Sequence, residues 1–529
     1  MNRGYGNIAQ CFFKENIIMI KNIKLWIIIS IFTVNLFGDI LNKDIEYMLA
    51  KSAIKRNELG LYIKETTSNR VVSAINIDKL FTPASVIKVY SAYAILLELG
   101  YNYRWSTNFY ITGRFVNGTV YGNLIVKGYG DPTLKSSDIP KIVKALKAKG
   151  IKKINGDIII DRSYFNVSKK DSSHFDKNIY SPYNAMPDAL MFNQHTSNFS
   201  VYPKNGKYRV KKLITGDSYR VSNQIRTVGG SCVGKRANPS ISVDHSKATP
   251  TLVLKGKLSN RCKKRYYKYI ITKPYKEFYN ALKNEFARVG VSYKGKMRLK
   301  SVPLGAKRVH THYSKSLESI IAVTAKKSNN LFARHLLLTL GARIYGAPSN
   351  LNKGRKAVER VLNRYHLLNF SKTCIDNGCG LSRESRITAR SMAKVLDHAY
   401  KSYGQRWLNI LSIAGKDGTI RRRFAQSVVK NRAWMKTGTL NKVKNITGYL
   451  KSKNGTLYTV VILVNSKHSR WAGSALQNRI IKWLVNYKGI VSEDDTFFVP
   501  QEPKKQKLLW DITDLAKEPK VFRYDEGAL

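Results

Sequence analysis

Apolar and polar positions alternate in two rhythms along this chain, and the rhythm changes twice. From Ala84 to Leu99 the apolar residues recur at the spacing of one helical face, with Thr82-Pro83 marking the start and Gly100 the end. A shorter helical segment, Asp39 to Ala53, precedes it, and between the two lie Leu59–Ile63 and Val71–Ile75, which read as strands joined around Ser68-Asn69. From about Arg104 to Lys300 the pattern shifts to short strands separated by turn signals such as Asn117-Gly118 and Asn205-Gly206. Helices interrupt it near Pro140–Lys149 and Tyr275–Val289.

Helical spacing then returns over Leu317–Lys326, Leu331–Leu340, Arg355–Tyr365 and Ala389–Tyr400, the last with Thr388 as its cap. Strands at Ala433–Thr437, Ile446–Lys451 and Thr456–Val464 follow, the last two joined at Asn454-Gly455, and Trp471–Tyr487 forms a closing amphipathic helix. The expectation is an α+β fold. A helix cluster packs on a largely antiparallel sheet built by residues 39–103 and 301–487, with a β-rich insertion over 104–300 that divides into two nested domains. Residues 488–529 are charged, contain Pro500 and Pro503, and read as a loosely attached tail.

At 529 residues and 43% hydrophobic, the chain has material for several cores. Lys and Arg number 92 against 34 Asp and Glu, a net charge of +58 that suits nucleic acid, anionic wall polymers or a membrane surface. The cations are spread along the chain, and no zinc-finger spacing, RNP-like aromatic motif or basic heptad accompanies them, so specific nucleic-acid binding is not expected. Contact with an anionic wall polymer or a peripheral membrane surface fits the same charge.

Near the N-terminus, Lys21 and Lys24 precede the apolar run Leu25 to Leu36, which is too short to span a bilayer. Residues 19–38 therefore read as a secretory signal peptide, with Met19 as the better start and residues 1–18 upstream of it, and the mature protein is expected in the periplasm or cell-wall space. Export permits disulfides. Of five cysteines Cys11 falls outside the mature chain; Cys232 and Cys262 are candidates for a bond worth roughly 3 to 4 kcal/mol, and Cys374 and Cys379 either close a small loop or remain thiols. No cysteine pair has the tight spacing of a zinc ribbon, and His310-Thr311-His312 reads as surface strand or loop, so no metal is expected.

Three short motifs carry the chemistry. Ser85-Val86-Ile87-Lys88 sets a hydroxyl and an amine three apart at a helix N-terminus, where an amine made neutral by burial can take the hydroxyl proton. The pattern alone is weak, since Ser52/Lys55, Ser391/Lys394 and Ser427/Lys430 share it. Ser328-Asn329-Asn330 lies in the break between two expected helices and is either a site element or a helix cap. Lys436-Thr437-Gly438-Thr439 ends a strand. There Lys436 and Thr437 can hold a carboxylate, and Gly438 permits the close approach of an extended peptide.

In this order the three motifs resemble the penicillin-binding protein and serine β-lactamase superfamily. The 243 residues separating Ser85 from Ser328 are too many for a class A β-lactamase. They make the chain similar to the class C low-molecular-mass penicillin-binding proteins, the D-alanyl-D-alanine carboxypeptidase/endopeptidase family. Gly128–Leu134, Gly156–Asp161, Asp376–Arg383 and Ala414–Thr419 resemble further family segments, and the likeness spans about residues 40 to 487. Tyr129, Cys379 and Asn329 depart from the family's usual residues without removing a reacting group.

The resemblance implies a serine DD-peptidase that cleaves the terminal D-Ala-D-Ala bond of peptidoglycan stem peptides, with cross-links as a second substrate, and is acylated by β-lactams. It implies Ser85 as nucleophile, Lys88 as base, Ser328 as proton relay to the leaving D-alanine and Asn330 as the group holding Lys88. Lys436, Thr437, Gly438 and Thr439 bind substrate, and the N–H groups of Ser85 and Thr439 form the oxyanion hole. Asp161, Phe165 and Arg383 fall where the family recognises the stem-peptide side chain. No cofactor is implied. A serine β-lactamase, separated by its fast deacylation, and a non-catalytic peptidoglycan-binding protein remain the alternatives.

Overall fold

The computed structural model describes residues 40, 42–167, 178–214, 216, 218–368 and 373–489. The expected signal peptide, Cys11 and all but the first two residues of the expected tail lie outside them. In chain order the catalytic part of the fold consists of α1 (Lys43–Ala50), β1 (Leu59–Glu65), β2 (Val71–Ile75), α2 (Lys88–Leu99), α3 (Leu317–Lys326), α4 (Asn330–Tyr345), α5 (Leu351–Arg364), α6 (Ala389–Leu408, broken at Gly404), β3 (Ser412–Ile413), β4 (Ala433–Leu440), β5 (Val443–Lys451), β6 (Leu457–Asn465) and α7 (Ser474–Asn486). The strands make one antiparallel sheet in the order β3-β4-β5-β6-β1-β2.

The run Val460–Val464 is apolar at every position because both faces of the sheet are covered. Val461 and Leu463 pack with α2 to α6, whereas Val460, Ile462 and Val464 pack with α1 and α7. The sheet is stitched from the two ends of the chain, since Leu59 to Glu65 pair in continuous register with Val464 to Tyr458. That pairing brings the turn carrying Ser85 beside β4 and β5.

Between α2 and α3 the chain builds two further cores. One lies among strands Ser106–Ile111, Leu124–Gly128 and Ile158–Asp161 and the helices Ile139–Ala148 and Pro274–Arg288. The other lies between two three-stranded sheets over residues 197–269, where Cys232 and Cys262 are disulfide-bonded. Strand Lys307–Tyr313, read in the sequence with the catalytic segment, instead pairs with Ser106–Ile111 and belongs to the insertion's sheet. Val309 to His312 are half-buried one after another, a pattern that does not mark which sheet the strand joins.

Candidate active site

Ser85 sits in a tight 3-10 turn, Ala84–Ile87, that runs into α2 at Lys88. The continuous helix expected from Ala84 begins four residues later, and Ala84 itself is left-handed, at φ 49°. Backbone strain of this kind persists only where its surroundings impose it. Here the amide of Asn445 on β5 donates to the carbonyls of Thr82 and Pro83, each at 2.9 Å, while Asn465 accepts from the Thr82 N–H at 2.7 Å. Two glycines let the backbone close in. A Cβ at Gly380 would stand 2.1 Å from the Ala84 carbonyl oxygen, and one at Gly438 would stand 2.7 Å from that of Pro83.

Lys88, one helical turn on from the hydroxyl it faces, is only 1% exposed. Its Nζ lies 2.8 Å from Ser85 Oγ and 2.8 Å from Asn330 Oδ1, and it also donates to the carbonyl of Cys379. Burial draws the amine down from the ordinary lysine range to about 8, the Arg334 guanidinium adding to the shift in the same direction. An amine with that value is partly neutral at physiological pH and faces the serine oxygen, which is the geometry of a general base.

Ser328 lies between α3 and α4 in the left-handed region, at φ 52°, so its side chain is turned out of both helices. The helix cap is Asn329, which accepts from the Phe332 N–H at 3.0 Å and leaves Ser328 free of that task. Lys436 of β4 is fully buried and donates to Ser328 Oγ at 2.9 Å and to its neighbour's carbonyl, Thr437 O, at 2.7 Å. Burial and the charge on Lys88 hold Lys436 well below the usual lysine range.

The rest of β4 faces the cleft. β3 pairs only with Trp434 and Met435, so beyond Met435 that edge of β4 has no strand partner among the described residues. Thr437 Oγ1 is 2.9 Å from Thr419 Oγ1, and the Thr439 side chain is exposed. An unpaired edge next to a lysine and a threonine hydroxyl is suited to an extended peptide that ends in a carboxylate.

The structure thus brings Ser85, Lys88, Ser328, Asn330, Lys436, Thr437, Gly438 and Thr439 to one place. The other three expected residues lie elsewhere. Asp161 is 1% exposed and accepts from the Ser163 N–H and hydroxyl at 2.8 and 2.6 Å and from the Val302 N–H at 3.0 Å. Phe165 is buried against Gly130, His335 and Leu338, the last two on α4. Arg383 is exposed in a groove with Thr82, Leu440 and Val443, beside the end of β4.

Several groups that shape the site were not evident in the sequence. Asn377 Oδ1 accepts from the N–H groups of Cys379 and Gly380, each at 3.1 Å, folding the loop that aims the Cys379 carbonyl at Lys88. Cys379 is a buried free thiol, so the small loop with Cys374 does not form. The insertion also reaches in: the Tyr183 carbonyl accepts from Asn330 Nδ2 at 3.0 Å, and Arg334 donates to the Ala185 carbonyl at 2.9 Å. No cluster of His, Cys, Asp and Glu able to hold a metal occurs among the described residues.

Residues 41–487 match the model of the D-Ala-D-Ala carboxypeptidase 3 (S13) family. The chain is 25% identical over 415 residues to D-alanyl-D-alanine carboxypeptidase DacB of Haemophilus influenzae, covering 77% of this chain and 85% of that protein. It is likewise 25% identical over 465 residues to a D-alanyl-D-alanine carboxypeptidase of Actinomadura sp., covering 85% of each. In three dimensions it is similar to the crystal structure of penicillin binding protein 4 from Haemophilus influenzae, with a TM-score of 0.73 at 23% identity, over 85% of this chain and 100% of the other.

Proposed function

This chain belongs to the D-Ala-D-Ala carboxypeptidase 3 (S13) family, a serine DD-peptidase in the fold of the penicillin-binding proteins, and from that premise we propose that Ser85 is its nucleophile and Lys88 its base. The neutral Lys88 amine takes the Ser85 proton as Oγ attacks the carbonyl of the penultimate D-alanine. The developing oxyanion is met by the N–H groups of Ser85 and Thr439, a contribution of about 10² to 10³ in rate per donor in comparable sites. The proton taken up by Lys88 is relayed through Ser328, hydrogen-bonded to Lys436, to the nitrogen of the departing D-alanine, and the C–N bond breaks to leave an acyl-enzyme on Ser85 with Lys88 neutral again. Water then adds to the ester and releases the shortened stem with Ser85 restored. Lys436 and Thr437 hold the terminal carboxylate.

The observation that carries this assignment is the buried Lys88 amine, 2.8 Å from both Ser85 Oγ and Asn330 Oδ1 and drawn down to about 8. Among the stem-recognising residues, exposed Arg383 is the one open to a ligand, whereas Asp161 would reach one only by exchanging a present hydrogen-bond partner. Action on cross-links as well as on terminal D-alanine, and export through the segment at 19–38 to the compartment where peptidoglycan lies, belong to the same proposal.

The test is incubation of the mature protein with fluorescent penicillin, followed by intact mass over time, for wild type and Ser85→Ala. A long-lived adduct on wild type that Ser85→Ala cannot form is expected. Fast turnover of the drug without an adduct would make the chain a β-lactamase, and no reaction at all would leave it a binding protein. Release of D-alanine from soluble pentapeptide, compared with opening of cross-linked muropeptides, divides the two peptidase activities.

A further inference from the structure

The net positive charge is not evenly laid on the fold. Residues 197–269 hold 17 Lys and Arg against two acids, Asp217 and Asp244, leaving 75 against 32 for the remainder of the chain. A general lysine bias would raise both parts alike, so this module is basic for a local reason.

Strand register shows where much of that charge lies. Ser197–Lys204 is the middle strand of a three-stranded antiparallel sheet, flanked by Lys207–Lys212 and Arg265–Tyr269. Phe199 and Val201 turn one face into the module's core. The opposite face aligns Lys207 with Lys204, Arg209 with Tyr202, and Lys211 with Ser200 and Tyr266, with Lys268 opposite Asn198. Lys264 adds a further ammonium, 5.7 Å from the Tyr202 ring and 5.2 Å from that of Tyr266. The six cations are exposed, Tyr266 is 68% exposed, and no acidic residue falls on this face.

The strand's end leads toward the catalytic cleft. Two residues beyond Lys268, Ile270 packs against the cluster of Ala185, Met191 and Leu331, the last of them the neighbour of Asn330. Partial burial, and after it the charge of Lys327 next to Ser328, draw the Lys268 amine below the ordinary lysine range. A polymer held along the sheet would therefore run toward the site that cuts it.

We propose that the outer face of this sheet is a docking track for the carboxylate-bearing peptidoglycan strand, engaging stem peptides beyond the one in the cleft. The inference rests on the peptidase reading above. Stem-peptide carboxylates are spaced along a neutral glycan, so a row of lysine and arginine side chains meets them while Tyr202 and Tyr266 offer flat surfaces to sugar rings. Binding through such exposed charges is screened by salt, with a range of about 10 Å at 0.1 M.

The probe is insoluble peptidoglycan stripped of phosphate-bearing polymers with hydrofluoric acid, pelleted with the full-length mature protein. Lys204→Glu, Arg209→Glu, Lys211→Glu and Lys264→Glu together should weaken co-sedimentation by about tenfold or more, and wild-type binding should fall as salt rises from roughly 0.05 to 0.5 M. The same four positions changed to Gln should give an intermediate loss, which guards against a fold damaged by charge reversal. D-alanine release from the insoluble polymer should drop in parallel, while the rate of penicillin acylation stays within about twofold of wild type. Variants that sediment as wild type does overturn the proposal. So does a wild type that binds untreated walls, anionic vesicles or duplex DNA but not the stripped polymer. Failure of the wild type to react with penicillin would strike the peptidase reading instead, and the sedimentation result would still stand on its own.

Discussion

With the Lys88 amine as the proposed base, the acylation rate should follow its neutral fraction and climb with pH. An ordinary lysine near ~10.4 would be neutral in about 0.04% of molecules at pH 7. With the amine drawn down to about 8 by burial, roughly 9% are neutral at pH 7, a gain of about 230-fold in competent enzyme. From pH 6 to pH 9 the neutral fraction goes from about 1% to about 90%, so the acylation rate should rise some ~90-fold and level off above the midpoint. Stopped-flow acylation by a fluorescent penicillin measures this directly, since the drug's own carboxylate is ionised throughout that range. Lys88→Arg keeps the positive charge and abolishes the neutral form, because a guanidinium stays protonated. It should lose about 10³ or more in rate, along with the rising limb. Equal rates at pH 6 and pH 9, or a limb of the same midpoint surviving in Lys88→Arg, would refute Lys88 as the base.

Three further outcomes are expected. Gly380→Ala introduces a methyl 2.1 Å from the Ala84 carbonyl at a position where φ is +83°; the nucleophile's turn must shift, and acylation should fall by about 10² or more with a lowered melting temperature, read by the same stopped-flow assay and a thermal melt. Asn445→Ala strips the Pro83 carbonyl and the Val464 N–H of that amide's bonds and leaves the Thr82 carbonyl only its 3.3 Å bond from Asn465, and should cost about 3 kcal/mol in urea unfolding as well as slowing acylation. Replacing Cys232 and Cys262 by serine opens a 30-residue loop and should destabilise the inserted module by about 3 to 4 kcal/mol in denaturant, with penicillin acylation retained by the folded protein.

The side chains that the fold gathers at the candidate site were legible because chemistry constrains residue type and order: a serine three before a lysine, a serine two before an asparagine, a lysine at a strand end. The sheet was legible because Val460–Val464 is buried on both faces and β1, β2 and β5 carry strong strand patterns. The supports were not. The contact between Lys88 and the Cys379 carbonyl uses backbone, which any residue supplies. The left-handed Ala84 is imposed by Asn445, Gly380 and Gly438, groups 296 or more positions away in the chain. One signal was available: an asparagine between Val443 and Ile446, inside an apolar strand, is a polar group that must be bonded once buried. The pairing of Lys307–Tyr313 with Ser106–Ile111 was not legible, because partner choice in a sheet is decided by long-range packing.

The stitching of β1 to β6 has a consequence for when this enzyme can first act. Ser85 emerges early in synthesis, but the sheet that seats its turn needs β5 and β6, and Lys436 and Asn445 arrive some 350 residues later. Contacts of such long separation form late in folding. A nascent chain stopped before β4 carries Ser85 and Lys88 without Lys436 or the Asn445 amide that holds the serine's turn. The site is therefore withheld until the two ends of the chain have met in one sheet, so that its order of assembly is itself a restraint on premature hydrolysis.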